Sequence, residues 1–147
     1  MKAKYHRAIT EQALRPHFSP AALEEIIRAN LGQDAPWYQF VHDHFHYDNN
    51  AFASGDAYIA KQRRAVLEAL QNGGEASLAR AAFGRLTHTA QDFYAHSNYT
   101  ALWREQHPQA APDAIDPQLA EVTKDSRLKS GRIYPPLEYF SFIAPLA

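Results

Sequence analysis

Residues 75–95, EASLARAAFGRLTHTAQDFYA, form the longest helical pattern in the chain and decide its fold. Leu78, Ala82, Leu86 and Phe93 share one face of such a helix, which reads as core. His88 and Asp92, together with His96 just beyond the stretch, step by four and advance only about 40° per step, so they share a different face. Ser77, Ala81 and Gly84 lie above His88 on that second face, and all are small. A glycine inside a helix costs about 1 kcal/mol relative to alanine, so Gly84 predicts a close approach by another element. A helix with an apolar stripe on one side and small residues leading to polar ones on the other is buried on both. It is expected to be the central helix.

Helix signals dominate outward from there. Residues 3–14 carry good helix formers and stop before Arg15-Pro16. Ser19 supplies an N-cap and Pro20 a proline at the first helical position of AALEEIIRANL. In that helix Leu23, Ile26, Ile27 and Leu31 face the core, Glu24, Glu25 and Arg28 face away, and Gly32 ends it. A shorter helix is expected from Trp37 to about His44. Asp56 opens a further helix with an Ile59, Val66, Leu67, Leu70 stripe, which Asn72-Gly73-Gly74 terminates. After Tyr99 the prolines at 108, 112, 117, 135 and 136 break the pattern, leaving one short helix from Pro117 to Thr123. No repeat, heptad or alternating stretch suggests a strand. The fold class is expected to be all-α, a compact array of four to six helices.

The chain has 147 residues, which predicts a single domain over 1–147. Fifteen Lys and Arg balance sixteen Asp and Glu, which excludes binding to nucleic acid or anionic membrane by bulk charge. Hydrophobic residues make up 46%, a globular composition, and no uncharged run approaches the ~20 residues of a membrane span. The start MKAKYHRAIT has no apolar stretch behind its lysines, so the expected location is cytoplasmic. The absence of cysteine removes disulfides and thiolate metal sites without choosing a compartment.

Histidine is the outlying count. Five of the eight fall into two clusters, His42, His44 and His46 in VHDHFHYD, and His88 and His96 in LTHTAQDFYAHSN. His6, His17 and His107 are scattered. Ligands at i and i+4 lie about 6 Å apart along a helix axis, so His88 with Asp92, or Asp92 with His96, can hold one ion. His88 and His96 are about 12 Å apart, too far to share an ion. Two solutions remain: two ions bridged by Asp92, or one ion with His96 serving another purpose. Nitrogen and oxygen donors without sulfur suit zinc, and also iron or manganese. The plain alternative is a hydrogen-bonded His88–Asp92 pair on a surface helix. In the first cluster a strand would align all three histidines, a helix would pair His42 with His46, and a polar aromatic turn would use none. Asp34 and Asp48 are the carboxylates at hand, and His6 is by default solvated.

The stretch FGRLTHTAQDFYAHSNY resembles the signature of the Het-C-like branch of the zinc-dependent phospholipase C and single-strand nuclease superfamily: leucine, histidine, aspartate four on, histidine four further, then Ser-Asn and an aromatic. YHRAITEQAL, RANLGQD and HFHYDNNAF resemble that family's upstream elements in order. The resemblance covers about residues 5–100. It implies a helical fold around up to three zinc ions. Asp34, His46, His88 and Asp92 would hold the first, Asp92 would bridge to another bound by His6, and His96 would begin a further site. His46 is preferred to His44 because an aromatic and then Asp follow it.

Two departures stand out. The family's phospholipases place a mature N-terminal tryptophan on a metal, where this chain begins with Met1. Their downstream helix supplies a further histidine and acid, where this chain offers only His107 and Glu121 or Glu138. The expectation is a chain truncated at its C-terminal end, with the third ion short of ligands and the apolar end YFSFIAPLA available to bury, for instance in a homo-oligomer.

The resemblance implies a metal-dependent hydrolase of phosphate esters. Metal-bound hydroxide would be the nucleophile, with Asp34 as ligand and candidate base. Lipid headgroup, nucleic acid and small phosphodiester are not separated as substrates, and Lys124, Arg127, Lys129 and Arg132 offer a basic run that a solvated loop explains equally. The alternative is a non-catalytic helical domain with a structural or partial metal site that binds a partner, using the aromatics Trp37, Tyr38, Phe40, Phe45 and Tyr47 as an interface. A helical His-Asp phosphohydrolase built on His42-Asp43 fits the contiguous His88–His96 motif poorly.

Overall fold

Local signals set the first two helices. α1 spans Ala3–Leu14 and stops at Arg15, ahead of Pro16. α2 spans Pro20–Leu31, with Ser19 accepting from the Ala22 amide and proline at the first position, and Gly32 closing it. Leu23, Ile26 and Ile27 are buried as expected, but the fourth buried position is Asn30 rather than Leu31. The computed structural model describes residues 1–71, 74–111 and 113–131. The expected apolar end, Arg132, Glu138 and the Asn72-Gly73 stop lie outside the described residues.

The third helix is shorter than its sequence suggests. α3 covers Pro36–Val41, and the first histidine cluster follows as two 3₁₀ turns, Asp43–Phe45 and Asp48–Asn50, neither strand nor helix. Tyr47, Asn49 and Asn50 all adopt left-handed backbone, a conformation that costs a non-glycine residue about 1–2 kcal/mol. Ser130 fixes them: its hydroxyl donates to the Tyr47 carbonyl, its amide donates to Asn50 Oδ1 at 2.7 Å, and the Asn50 amide donates to its Oγ at 2.8 Å.

α4 runs Phe52–Gln71, beginning four residues before Asp56. Its buried positions are Gly55, Tyr58 and Gln62, whereas Leu67 and Leu70 of the expected stripe are exposed. The neighbour of α4 decides this. A Cβ on Gly55 would meet the Tyr47 ring at 2.6 Å, so the helix turns its smallest residue toward that ring. α5 covers Ala76–His96 and packs along α2 on one side and α4 on the other, which makes it the central helix. Ala82 and Phe93 are core, but Leu78 at the first turn is exposed because the contacts lie further along.

Gly84 is the point of closest approach between α5 and α2. A Cβ there would collide with the Ile26 carbonyl oxygen and come within 2.8 Å of Ala29 Cβ. α6, Tyr99–Gln106, forms where the sequence looked irregular, and α7 is confined to Ala120–Thr123. Both close the main core of Tyr47, Phe93, Tyr99, Leu102, Trp103 and Val122. The array is all-α, and among the described residues the only bridge of β type joins Ser97 to Ser130.

Candidate metal centre

The polar face of α5 is buried against three other segments. α1 brings His6 and α5 brings His88 and Asp92, all fully buried. The 3₁₀ turn after α2 brings Asp34, and the turn after α3 brings His46, which is 2% exposed. Asp92 is the hub. Its Oδ2 lies 2.9 Å from His46 Nδ1 and 3.0 Å from His88 Nε2. Its Oδ1 lies 3.3 Å from His6 Nε2, 3.4 Å from His96 Nε2 and 2.7 Å from the Met1 amine. Asp34 Oδ1 lies 3.6 Å from His88 Nε2.

One ligand atom from each of His6, Asp34, His88 and Asp92 falls within 4.8 Å of all the others. Ligands about 2.0–2.1 Å from a common tetrahedral centre sit about 3.3 Å apart, close to the separations of 3.0, 3.3 and 3.6 Å seen around His88 and Asp92. The tautomers agree. His6 Nδ1 lies 2.6 Å from Gln91 Oε1, an acceptor, so it carries the proton and leaves the Nε2 lone pair facing Asp92. That Nε2 has no hydrogen-bond partner, and neither do His46 Nε2 and His88 Nδ1. Buried polar atoms are normally satisfied, so the unpartnered His6 Nε2 facing Asp92 fits a cation at that point.

Electrostatics favour the unprotonated forms of Asp92 and His88. Burial works to raise the Asp92 carboxyl, but contacts from His46, His6 and His88 outweigh it and hold it well below the ordinary carboxylate value. Burial lowers His88, with Asp92 pulling the other way, which favours the neutral imidazole.

The structure thus brings His6, Asp34, His46, His88, Asp92 and His96 together. His6 is buried rather than solvated. His96 adds a side branch through its Nδ1, 2.7 Å from Asp48 Oδ1, and its Nε2 lies 2.9 Å from the Met1 amine. His42 and His44 stay apart, ringed around Phe45 at 4.7 and 4.5 Å. Asp43 accepts from Asn49 at 2.9 Å. Arg127 of the basic run is taken by Asp125 and Glu105. Sequence reasoning missed Gln91, which orients His6, donates to Thr10 and accepts from Asn30. Its signal was present: a glutamine beside Asp92, facing an asparagine on the core side of α2.

These features define a helical domain assembled around a buried histidine–carboxylate cluster. The chain belongs to the VWA7 N-terminal domain family, whose model matches residues 2–127. It is 38% identical over 90 residues to von Willebrand factor A domain-containing protein 7 of Mus musculus, a match covering 60% of this chain and 10% of that protein. It is 36% identical over 89 residues to the Rattus norvegicus protein of the same name and 35% over 89 to that of Homo sapiens, with the same coverage. The chain spans about a tenth of the length of these curated relatives. No solved structure matches it.

This membership corrects the expected one. The chain is assigned to the VWA7 N-terminal domain, not to the phospholipase C and nuclease superfamily, and the hydrolase and phosphodiesterase reading falls with that resemblance. The physical reason lies in what the motif encodes. A His-Asp-His ladder at i+4 steps reports that one helix face is polar and buried, and such a face specifies neither a reaction nor a substrate.

Proposed function

We propose that this chain is a non-catalytic helical domain in which His6, Asp34, His88 and Asp92 take one divalent cation, zinc by donor chemistry, as a structural pin, and that its function is to bind a protein partner. The observation that carries this reading is closure. His6, His88 and Asp92 are fully buried, and Asp34 is the only member with a partly exposed side chain, at 20%. Structural zinc sites fill all four positions with protein ligands, whereas catalytic sites keep one open for water or substrate. Gln91 holds His6 from behind, as outer partners of ligands do, while His46 Nδ1 stands beside the set, 2.9 Å from Asp92 Oδ2 and 3.1 Å from His88 Nε2.

The test is elemental analysis of protein purified without an affinity tag, stripped and then reloaded with zinc, alongside a chromogenic phosphodiester assay. The expected result is about one zinc per chain, lost in His88→Ala, with hydrolysis no greater than in that variant. Zinc-dependent turnover that His88→Ala removes would overturn it, and so would a wild type that takes up no metal.

A further inference from the structure

Asp34 and His46 lie at the two ends of one segment. Residues 35–45 leave the 3₁₀ turn that carries Asp34, form α3, and return through the turn that ends at His46. α3 packs chiefly against those two turns rather than against the long helices. Tyr38 reaches the bundle through ring contacts, to Phe45 at 5.5 Å and from Phe45 to Tyr58 at 4.3 Å. α3 also exposes two large apolar side chains, Trp37 at 66% and Val41 at 70%. The segment that displays these two apolar groups is therefore anchored at both ends on the buried cluster.

The anchors respond to a cation in opposite ways at its two extremes of occupancy. Asp34 and Asp92 each place a carboxylate oxygen within 4.8 Å of the other. With a divalent ion between them this proximity is attractive; without one the two carboxylates repel, with the Met1 amine, 2.7 Å from Asp92 Oδ1, as a counter-charge on the Asp92 side. Asp92 is fixed in the middle of α5, while Asp34 ends a short turn and is partly exposed. Such a repulsion would displace Asp34 rather than Asp92, and with it the start of α3.

We propose that cation binding is the clasp of residues 35–45: the loaded cluster holds Asp34 and His46 together and so fixes the Trp37–Val41 face, which loosens when the ion leaves. This rests on the metal-pin reading and adds to it what the pin controls. The domain thereby presents one surface with the ion and another without it.

Hydrogen exchange read by mass spectrometry on the full chain tests this, with and without zinc and with zinc content measured on the same samples. Zinc should slow exchange in residues 35–45 by about tenfold or more, while peptides from the middle of α4 change little. In zinc-free Asp34→Asn, where the like-charge repulsion is gone whether or not the variant takes up metal, exchange in this segment should lie nearer to zinc-loaded wild type than to zinc-free wild type; a rate equal to that of zinc-free wild type would overturn the repulsion argument. Chymotrypsin cleavage after Trp37 or Tyr38 provides a second readout on the wild type and should be faster without zinc. Stoichiometric zinc binding with unchanged exchange and cleavage in 35–45 would overturn the clasp and leave the metal pin standing. Uniform protection across all helices would overturn it as well, because that reports global stabilisation by a bound ligand. Absence of zinc binding would remove both.

Discussion

His46 Nδ1 lies 2.9 Å from Asp92 Oδ2, a contact that joins the turn after α3 to the middle of α5 across 46 residues of sequence. Nothing local favours it. Tyr47 next to it is left-handed, and the Tyr47 ring fills the space that Gly55 leaves on α4. The site is thus held by long-range packing at each of its corners.

His88 Nε2 lies against Asp92, Asp34 and His46. His88→Ala should abolish zinc uptake and lower the unfolding free energy by about 2–4 kcal/mol, since it opens a cavity and strips a buried carboxylate of a partner. His17→Ala, at an exposed position, should change neither by more than about 0.5 kcal/mol or a tenth of the metal count. Urea titration and elemental analysis of the two variants check both.

Gly84→Ala should destabilise the protein although alanine is the better helix former. The added methyl meets the Ile26 carbonyl and Ala29, so α5 and α2 must move apart. Overpacking of this kind costs about 1–3 kcal/mol, which exceeds the ~1 kcal/mol of propensity gained. A urea midpoint at or above wild type would show that the helices do not touch there.

Leu70→Lys should leave stability within about 0.5 kcal/mol of wild type, because Leu70 is 56% exposed despite its place in an apparent apolar stripe. Ala82→Lys, at a position 1% exposed, should prevent folding. Comparing the circular dichroism melts of the two variants distinguishes the faces.

Alkaline pH should destabilise the fold through its buried phenols. Burial raises Tyr58, and Gln33 Nε2 donating to its oxygen only partly opposes this. Burial and the hydrogen bond to Asp56 raise Tyr47 in the same direction. A folded-state value above the unfolded one, which is about 10, means the unfolded chain loses its proton first. The contribution is therefore complete below pH 10 and lost as pH rises through the folded-state value. Denaturant midpoints at pH 8 and pH 10.5 should show that fall, and Tyr58→Phe should reduce it while costing about 1 kcal/mol at neutral pH from the Gln33 donor left without its acceptor.

Elements with local causes are legible along the chain. Ser19-Pro20 starts α2, Pro16 limits α1, Gly84 announces a helix contact, and the four-residue steps from His88 to His96 put three polar groups on one face of α5. Each of these depends on neighbours within a turn or two of helix, and such interactions are legible in one dimension. Tertiary structure alone decided which long-range partners meet them. Whether His44 or His46 enters the cluster, whether His6 is solvated or buried, and whether Leu67, Leu70 and Leu78 face the core all depend on where α1, α2 and α4 lie against α5. That placement comes from close packing at Gly55 and Gly84, where a missing side chain lets two elements touch. A spacing pattern records that such a face exists, but not what covers it. The same limit explains why a polar ladder on α5 suggested a catalytic family: the ladder does not say that His6 and Asp34 come from other elements to meet it.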